Sequence, residues 1–132
     1  MPSKNAVRLS WALQIVAAAI LAQTLFFKFT AAPESVYIFQ TLGAEPWGRI
    51  GSGLAELLAV ILLLVPWRPA WGALLAVMVM VGAVGAHLTK LGIVVQDDGG
   101  LLFVLAVIVL VDAATVVVLR RHELPCWPGD SA

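Results

Sequence analysis

Three ionisable side chains lie inside apolar stretches of this sequence. Glu56 lies within the run from Gly51 to Val65, Lys28 lies near the end of the first apolar run, and His87 near the end of the third. A charged group deep in a bilayer costs about 2.5–3.5 kcal/mol on insertion scales, so such residues usually mark a functional site. A carboxylate, an imidazole and an amine in a dry space suit proton exchange, or binding of a ligand with a polar head and an apolar body.

Helix geometry places these groups at similar depths. At a rise of about 1.5 Å per residue, Glu56 lies about 9 Å inside its span and His87 about 6 Å, with Lys28 nearer its span end. Gln23 lies at a depth similar to that of Glu56, and Ser52 precedes Glu56 by four residues on the same helical face. Polar groups in lipid must face one another or a wet cavity. These five side chains are therefore predicted to form one polar site.

A second, deeper polar layer is predicted from Gln14 on the first span and Asp112 on the fourth. All these residues also have structural interpretations. Lys28 can extend its amine to the headgroups, and buried polar side chains commonly join helices by hydrogen bonds. Glu56 can belong to a structural ion pair or, when protonated, bond to His87. The residues alone leave the functional and the structural interpretations open.

A metal site is not indicated by this set. One His and one Glu on different helices are too few, and Met80 adds only a soft donor. Haem would need an axial pair, and His87 has no histidine partner within the membrane. Cys126 is the only cysteine, which excludes an intrachain disulfide and a CxxC redox pair. No cofactor is evident from the residues, and a quinone is the candidate that the polar set would suit.

The composition places the chain in the integral membrane class. It has 132 residues, of which 61% are hydrophobic and 12% charged, whereas soluble domains are about 45–50% apolar and about 25% charged. Eight basic and eight acidic residues give no net charge, and there is no basic cluster of the size that nucleic acid binding needs. At about 20 residues per span, the length fits four spans in one domain covering residues 1–132.

The predicted fold is an all-α membrane protein, a four-helix transmembrane bundle. The spans and the polar C-terminal tail are predicted at residues 9–30, 50–66, 70–91, 100–119 and 120–132. Pro33 suits a first helical position and Gly43 a position just past a helix end, which predicts a short interfacial helix after the first span. A cleaved signal peptide is not favoured, because the first apolar run exceeds the usual length of about 7–15 residues.

Lysines and arginines in the short loops predict the orientation. One side carries five of them: Lys4, Arg8, Arg68, Arg120 and Arg121. The other side carries three: Lys28, Arg49 and Lys90. Both termini are therefore predicted to face the cytoplasm, and the polar site is predicted to face the opposite side.

Four short motifs, in this order and spacing, resemble the DoxX-like family of small four-span bacterial membrane proteins. They are Phe-Phe-Lys-Phe-Thr at 26–30, Leu-Gly-Ala-Glu-Pro at 42–46, a Gly five residues before Glu at 51–56, and Gly-Ala-His-Leu-Thr at 85–89. The resemblance covers residues 9–120. It implies a multi-pass protein of the bacterial inner membrane. It also implies that Lys28, Glu56 and His87 correspond to polar residues that recur in the family.

The family takes its name from a subunit associated with a thiosulfate:quinone oxidoreductase, and other relatives are linked to redox complexes. The resemblance implies an accessory or quinone-interacting component of a membrane redox system, surrounded by lipid, with a membrane protein partner or a second copy of itself. The chain lacks the paired cysteines of redox-active relatives, which argues against a thiol-based role. Two alternatives stay open: a small-molecule or proton-coupled transporter, and a purely structural or interaction subunit. Whether the protein is an enzyme is not indicated.

Overall fold

The computed structural model describes residues 2–125, and in this range the chain is helical. Its α-helices are α1 (Lys4–Phe29), α2 (Pro33–Thr41), α3 (Trp47–Leu64), α4 (Pro69–Ala86) and α5 (Leu101–Leu119). A π-helical turn, His87–Leu91, continues α4, and a 3-10 turn, Arg121–Glu123, follows α5. Within the described range, four helices are long and apolar enough to cross a membrane: α1, α3, α5, and α4 with its π turn. The predicted four-helix membrane bundle is confirmed.

The helix ends follow from local sequence signals. Ser3 caps α1, since its hydroxyl accepts a hydrogen bond from the N–H of Ala6 at 3.1 Å, and the helix therefore begins five residues before the apolar run does. The short helix predicted after the first span is α2, which begins at Pro33. Gly43 follows it with a φ of 72°, a conformation that glycine adopts without steric cost. The remaining tail, residues 126–132 with Cys126, lies outside the described residues.

The four long helices pack as a ring in which α1 and α4 each contact both α3 and α5. Small and branched apolar side chains fill the centre: Ala17, Ala18, Leu21, Ala59, Leu63, Ala73, Ala76, Val109 and Val116. Large apolar side chains cover the outside, among them Phe26, Leu58, Met78 and Val111. An apolar exterior around unbroken helices is what a lipid bilayer requires. The protein is therefore a small integral membrane protein.

Two glycines let neighbouring helices approach closely. A Cβ built on Gly53 of α3 would lie 2.9 Å from the ring of Phe29, at the end of α1. A Cβ on Gly72 of α4 would lie 2.8 Å from the backbone nitrogen of Leu63 on α3. Small residues commonly permit such contacts between membrane helices. These contacts fix the rotation of α3 relative to both of its neighbours.

The bundle has two ends that differ in structure. At the α2 end, defined by Phe29, Trp47, Leu91 and Leu101, helix α2 packs against α1, α3 and the π turn. At the Arg120 end, defined by Lys4, Leu64, Pro69 and Leu119, the 3-10 turn packs against α4. Each end contains one cluster of buried polar side chains.

Candidate functional site

A cavity of about 560 Å³ occupies the half of the bundle nearer the α2 end. All five helices contribute to its wall, which is mainly apolar, with Leu21, Met80 and Val109 at its deep side. The five side chains predicted to form one polar site all line it: Gln23, Lys28, Ser52, Glu56 and His87. The predicted second layer, Gln14 and Asp112, is not part of the wall.

Glu56 is paired with Lys28 across the interface of α1 and α3. The Lys28 ammonium lies 2.5 Å from Oε1 of Glu56, and the two side chains are 15% and 2% exposed. The Thr24 hydroxyl lies 3.5 Å from Oε2, and the Phe39 ring centroid of α2 lies 5.8 Å from the Lys28 ammonium. The pair leaves two of the three ammonium protons of Lys28 without a protein acceptor in the described residues. They are available to an acceptor in the cavity.

Arg49 holds the backbone next to this pair. Its guanidinium donates to both carboxylate oxygens of Glu45, one turn earlier, at 3.0 Å. It also donates to the backbone carbonyl of Lys28 in the last turn of α1, which otherwise accepts only a long hydrogen bond from the N–H of Ala31, at 3.4 Å, among the described residues. Arg49 is buried with 7% exposure. It therefore ties the end of α1 to the start of α3, at the level from which Lys28 reaches Glu56.

His87 occupies the point where α4 widens into the π turn. Its Nδ1 lies 2.9 Å from the carbonyl oxygen of Gly92, while the Gly92 N–H donates to the carbonyl of His87 at 2.8 Å. Because a carbonyl oxygen can only accept, Nδ1 must carry the proton. In the neutral ring Nε2 is then an acceptor, and in the charged ring it is a donor. Phe103 of α5 packs edge-on against the ring at a centroid distance of 5.6 Å.

No hydrogen bond joins Glu56 and His87, although both are among the described residues and line one cavity. Glu56 takes Lys28 as its partner and His87 takes Gly92. The sequence left two structural interpretations of Glu56 open: an ion pair, or a hydrogen bond to His87. The structure contains the ion pair, and its partner is Lys28. The Lys28–Glu56 pair on α1 and α3 and His87 on the π turn are thus two separate polar points of the cavity, whose mainly apolar wall also includes Glu34, Ser35 and Asp98.

Asp98, in the loop before α5, also lines the cavity. Its carboxylate accepts from the N–H groups of Val95, Gly100 and Leu102 at 2.8–3.2 Å, so it closes the loop and caps the start of α5. Burial alone would raise the pKa of Asp98, but these backbone hydrogen bonds, helped by nearby His87, hold that pKa below its ordinary value. Asp98 is therefore an ionised, well-anchored neighbour of His87.

The two remaining predicted residues have lesser contacts. Gln23 is exposed and lies where the cavity wall meets the outside of the bundle. Ser52 is half-buried, and its hydroxyl donates to the carbonyl of Arg49, one turn earlier, at 3.2 Å. Gln23 makes no hydrogen bond in the described part of the chain, so its amide is available to a bound molecule.

The polar residues outside the cavity form a different cluster, at the Arg120 end. Gln14 accepts from Ser10 at 2.5 Å and donates to the carbonyl of Leu63 at 2.7 Å. Arg120 donates to Ser10 at 2.9 Å and lies 3.5 Å from Glu123, whose other oxygen accepts from the N–H of Ala70 at 2.9 Å. This network joins all four membrane helices. It is fully built from protein groups, which suits a structural role.

Asp112 does not belong to that network. It is 7% exposed, and its Oδ1 has no hydrogen-bond partner among residues 2–125. It lies one helical turn beyond Val109, at the deep side of the cavity, and two turns before Arg120. The predicted second layer therefore has Gln14 and Asp112 in separate surroundings.

A model of the DoxX-like family matches residues 12–114. The chain belongs to the DoxX-like family. No match was found among curated proteins or among solved structures. The family assignment confirms the resemblance drawn from the motifs, and the matched range includes Lys28, Glu56, His87 and the cavity around them. Membership in the DoxX-like family supports the membrane fold, whereas the chemistry must be argued from the site itself.

Four contributors to the site were not predicted as site residues, although the sequence holds a signal for each. Thr24 lies four residues before Lys28, which puts both on one helical face. Glu45 and Arg49 have the spacing of a helical ion pair. Asp98, just before Gly-Gly and an apolar run, is typical of a helix cap. The described residues hold no group of three or more His, Cys, Asp or Glu arranged for a metal ion.

Proposed function

We propose that this protein binds the headgroup of a quinone in the α2-end cavity, as an accessory component of a membrane redox system. One observation carries the proposal: the cavity joins hydrogen-bonding groups near one end of the bundle to a long apolar wall inside it. A quinone has the same division, with carbonyl oxygens on a ring and an apolar tail. The redox context rests on membership in the DoxX-like family.

The size and the donors of the cavity fit such a headgroup. Ligand pockets usually measure about 300–1,000 Å³, with mostly apolar walls and a few polar groups that fix the orientation, and this one measures about 560 Å³. The Lys28 ammonium can donate to one ring oxygen. His87, with Nδ1 held by Gly92, presents Nε2 as the nitrogen that exchanges a proton with another oxygen. A bound quinone would supply two-electron chemistry, and these residues would orient it and hold protons.

The cavity also reaches the outside of the bundle. Met78 is 65% exposed although it belongs to the cavity wall, and Gln23 on α1 is exposed as well. Both positions lie along membrane-spanning helices, so openings there face lipid rather than water. An isoprenoid tail could remain in the bilayer while its headgroup occupies the cavity.

Binding is tested with purified protein in detergent and a short-chain ubiquinone analogue, by equilibrium titration and by thermal unfolding. We expect the analogue to raise the melting temperature of the wild type. Glu56→Gln and His87→Ala should each weaken binding about tenfold or more, as expected for loss of about 1.4 kcal/mol. Glu123→Gln and His122→Ala make the same chemical changes at the Arg120 end and should bind normally. Equal affinity in all five proteins would refute the proposal.

The accessory role is tested in membranes, by quinone reduction or thiosulfate oxidation with the same variants. Loss of activity with Glu56→Gln, with the protein still inserted, supports the proposal, and unchanged activity contradicts it. A transporter would instead catalyse substrate uptake into proteoliposomes. A purely structural subunit would lose stability with Glu56→Gln while no ligand ever stabilises the wild type.

We further propose that the cavity lies on the periplasmic side of a bacterial inner membrane. The support is the excess of Lys and Arg at the Arg120 end, since cytoplasmic loops carry more of these residues. Single cysteines introduced by Gly99→Cys or by His122→Cys, in a Cys126→Ser background, can be labelled in intact cells with a membrane-impermeant thiol reagent. We expect the reagent to label the Gly99→Cys variant and not the His122→Cys variant. Labelling after His122→Cys alone would reverse the orientation.

A further inference from the structure

A second cavity, of about 370 Å³, lies at the Arg120 end. Its wall is formed where α4 begins and where the 3-10 turn follows α5, by Arg68, Trp71, His122, Glu123 and Pro125. Because α4 and α5 cross the membrane, this position lies at the level of the lipid headgroups. The cavity shares no residue with the α2-end cavity, and the proposed quinone site makes no use of it.

The carboxylate in this cavity is already satisfied. One oxygen of Glu123 accepts from the N–H of Ala70 at 2.9 Å, and the other lies 3.5 Å from Arg120 and 3.9 Å from His122. The side chain is 9% exposed. The negative charge of Glu123 is thus offset by Arg120, and it does not cancel the charge of Arg68.

Arg68 keeps most of its donors available. Its single hydrogen bond within residues 2–125, to the carbonyl of Glu123, is long at 3.4 Å, and the side chain is exposed. A guanidinium has five N–H donors in a planar fork that matches two oxygens of a phosphate. Trp71 beside it is 40% exposed, and Trp67 is 70% exposed. Tryptophans at this level commonly anchor a protein at the headgroup region.

We propose that this cavity binds the phosphate of an anionic phospholipid, with Arg68 as the principal ligand and Trp71 packed against the glycerol region. The surrounding charge favours an anion, since Lys4 and Arg8 also lie at this end of the bundle. A zwitterionic lipid has the same phosphate, but its ammonium group would approach this basic surface. The occupant is therefore a lipid such as phosphatidylglycerol rather than phosphatidylcholine.

Native mass spectrometry tests this with full-length protein extracted from vesicles of equal parts phosphatidylglycerol and phosphatidylcholine. The wild type should retain phosphatidylglycerol preferentially, and Arg68→Gln should reduce the preference about fivefold, which corresponds to about 1 kcal/mol per arginine at an anionic surface. Arg8→Gln removes the same charge from the same end but outside the cavity, and should reduce the preference less than Arg68→Gln does. Equal retention by the wild type and Arg68→Gln would overturn the proposal.

Two further arms separate the alternatives. Arg68→Lys keeps the charge without the planar fork, so this variant should lose at least about half of the preference for phosphatidylglycerol. If Arg68→Lys instead kept the full preference of the wild type, bidentate binding would be contradicted. Inorganic phosphate is then added to the wild type without lipid. Stabilisation by phosphate alone, equal to that by phosphatidylglycerol, would show that the cavity takes a free anion and not a lipid.

Discussion

The buried ion pair between Lys28 and Glu56 makes an asymmetric prediction for stability. Lys28→Met leaves a carboxylate that is 2% exposed with only Thr24 nearby. Breaking a buried pair costs about 3–5 kcal/mol, and we expect about 3 kcal/mol, the lower end of that range. Glu56→Gln should cost less, about 1–2 kcal/mol, because Lys28 is 15% exposed and can extend to the headgroups.

The double variant Lys28→Met/Glu56→Gln removes both charges and should cost less than the sum of the single changes. The coupling energy should be on the order of 2 kcal/mol. Reversible unfolding with sodium dodecyl sulfate in mixed micelles, followed by tryptophan fluorescence, measures each free energy. Lys90→Met serves as the matched control, because Lys90 is exposed. Its effect on the free energy of unfolding should simply add to the effect of Glu56→Gln. A coupling below about 0.5 kcal/mol for Lys28 and Glu56 would refute the reasoning.

Four other residues give predictions that the same unfolding assay checks. Asp112→Leu should stabilise the bundle by about 1–3 kcal/mol, because it removes a buried oxygen that has no partner in the described part of the chain; a loss of stability would show that Asp112 has one. Gly72→Ala should destabilise by about 1–3 kcal/mol, since its Cβ would meet backbone atoms of α3 within 3.0 Å. Gly82→Ala, with open space around the Cβ, should be neutral or stabilising by up to about 1 kcal/mol. The pKa of Asp98 is lower in the folded protein than in the unfolded chain, where it is about 3.9. Ionised Asp98 therefore stabilises the folded state above about pH 3.9, and this stabilisation is lost as the pH falls through the pKa of the folded protein. Asp98→Asn should therefore flatten the stability curve below about pH 4, and an unchanged curve would contradict this.

The fold could be predicted from the sequence because its determinants are local. Apolar runs of about 20 residues specify spans wherever they occur, and Pro33 and Gly43 mark the ends of α2 without reference to the rest of the chain. The bundle itself follows because lipid leaves no other way to satisfy the backbone. The π turn at His87 was not predicted, since no residue type marks the change from α to π hydrogen bonding.

The cavity residues could be named, but not their partners. Depth along a helix follows from counting residues, so Lys28, Glu56 and His87 were placed in one half of the membrane. The partner of Glu56 depends on how α3 is rotated against α1, and contacts such as that of Gly53 with Phe29 decide this rotation. Long side chains are a second reason why partners do not follow from depth, because such side chains can join residues whose backbones lie at different levels of the membrane.

The Arg120 network shows the same limit more strongly. Arg120 ends the apolar run of α5, and by sequence it is a charge that stops a span. In the structure it reaches back to Ser10 and Gln14 on α1, more than 100 residues away along the chain. Its role depends on α1 and α5 being neighbours, which hydropathy does not specify. Asp112 was grouped with Gln14 by depth, yet among the described residues it takes no part in the hydrogen bonds of Gln14.

The most direct test of the central claim is an experimental structure of the protein in lipid nanodiscs with a short-chain ubiquinone analogue. We predict density for the ring in the α2-end cavity, with a ring oxygen within about 3.2 Å of the Lys28 ammonium or of Nε2 of His87. At the same analogue concentration, the ring in this cavity should have lower occupancy in Glu56→Gln. A cavity filled by a lipid chain, or a ring bound elsewhere on the bundle, would contradict the account.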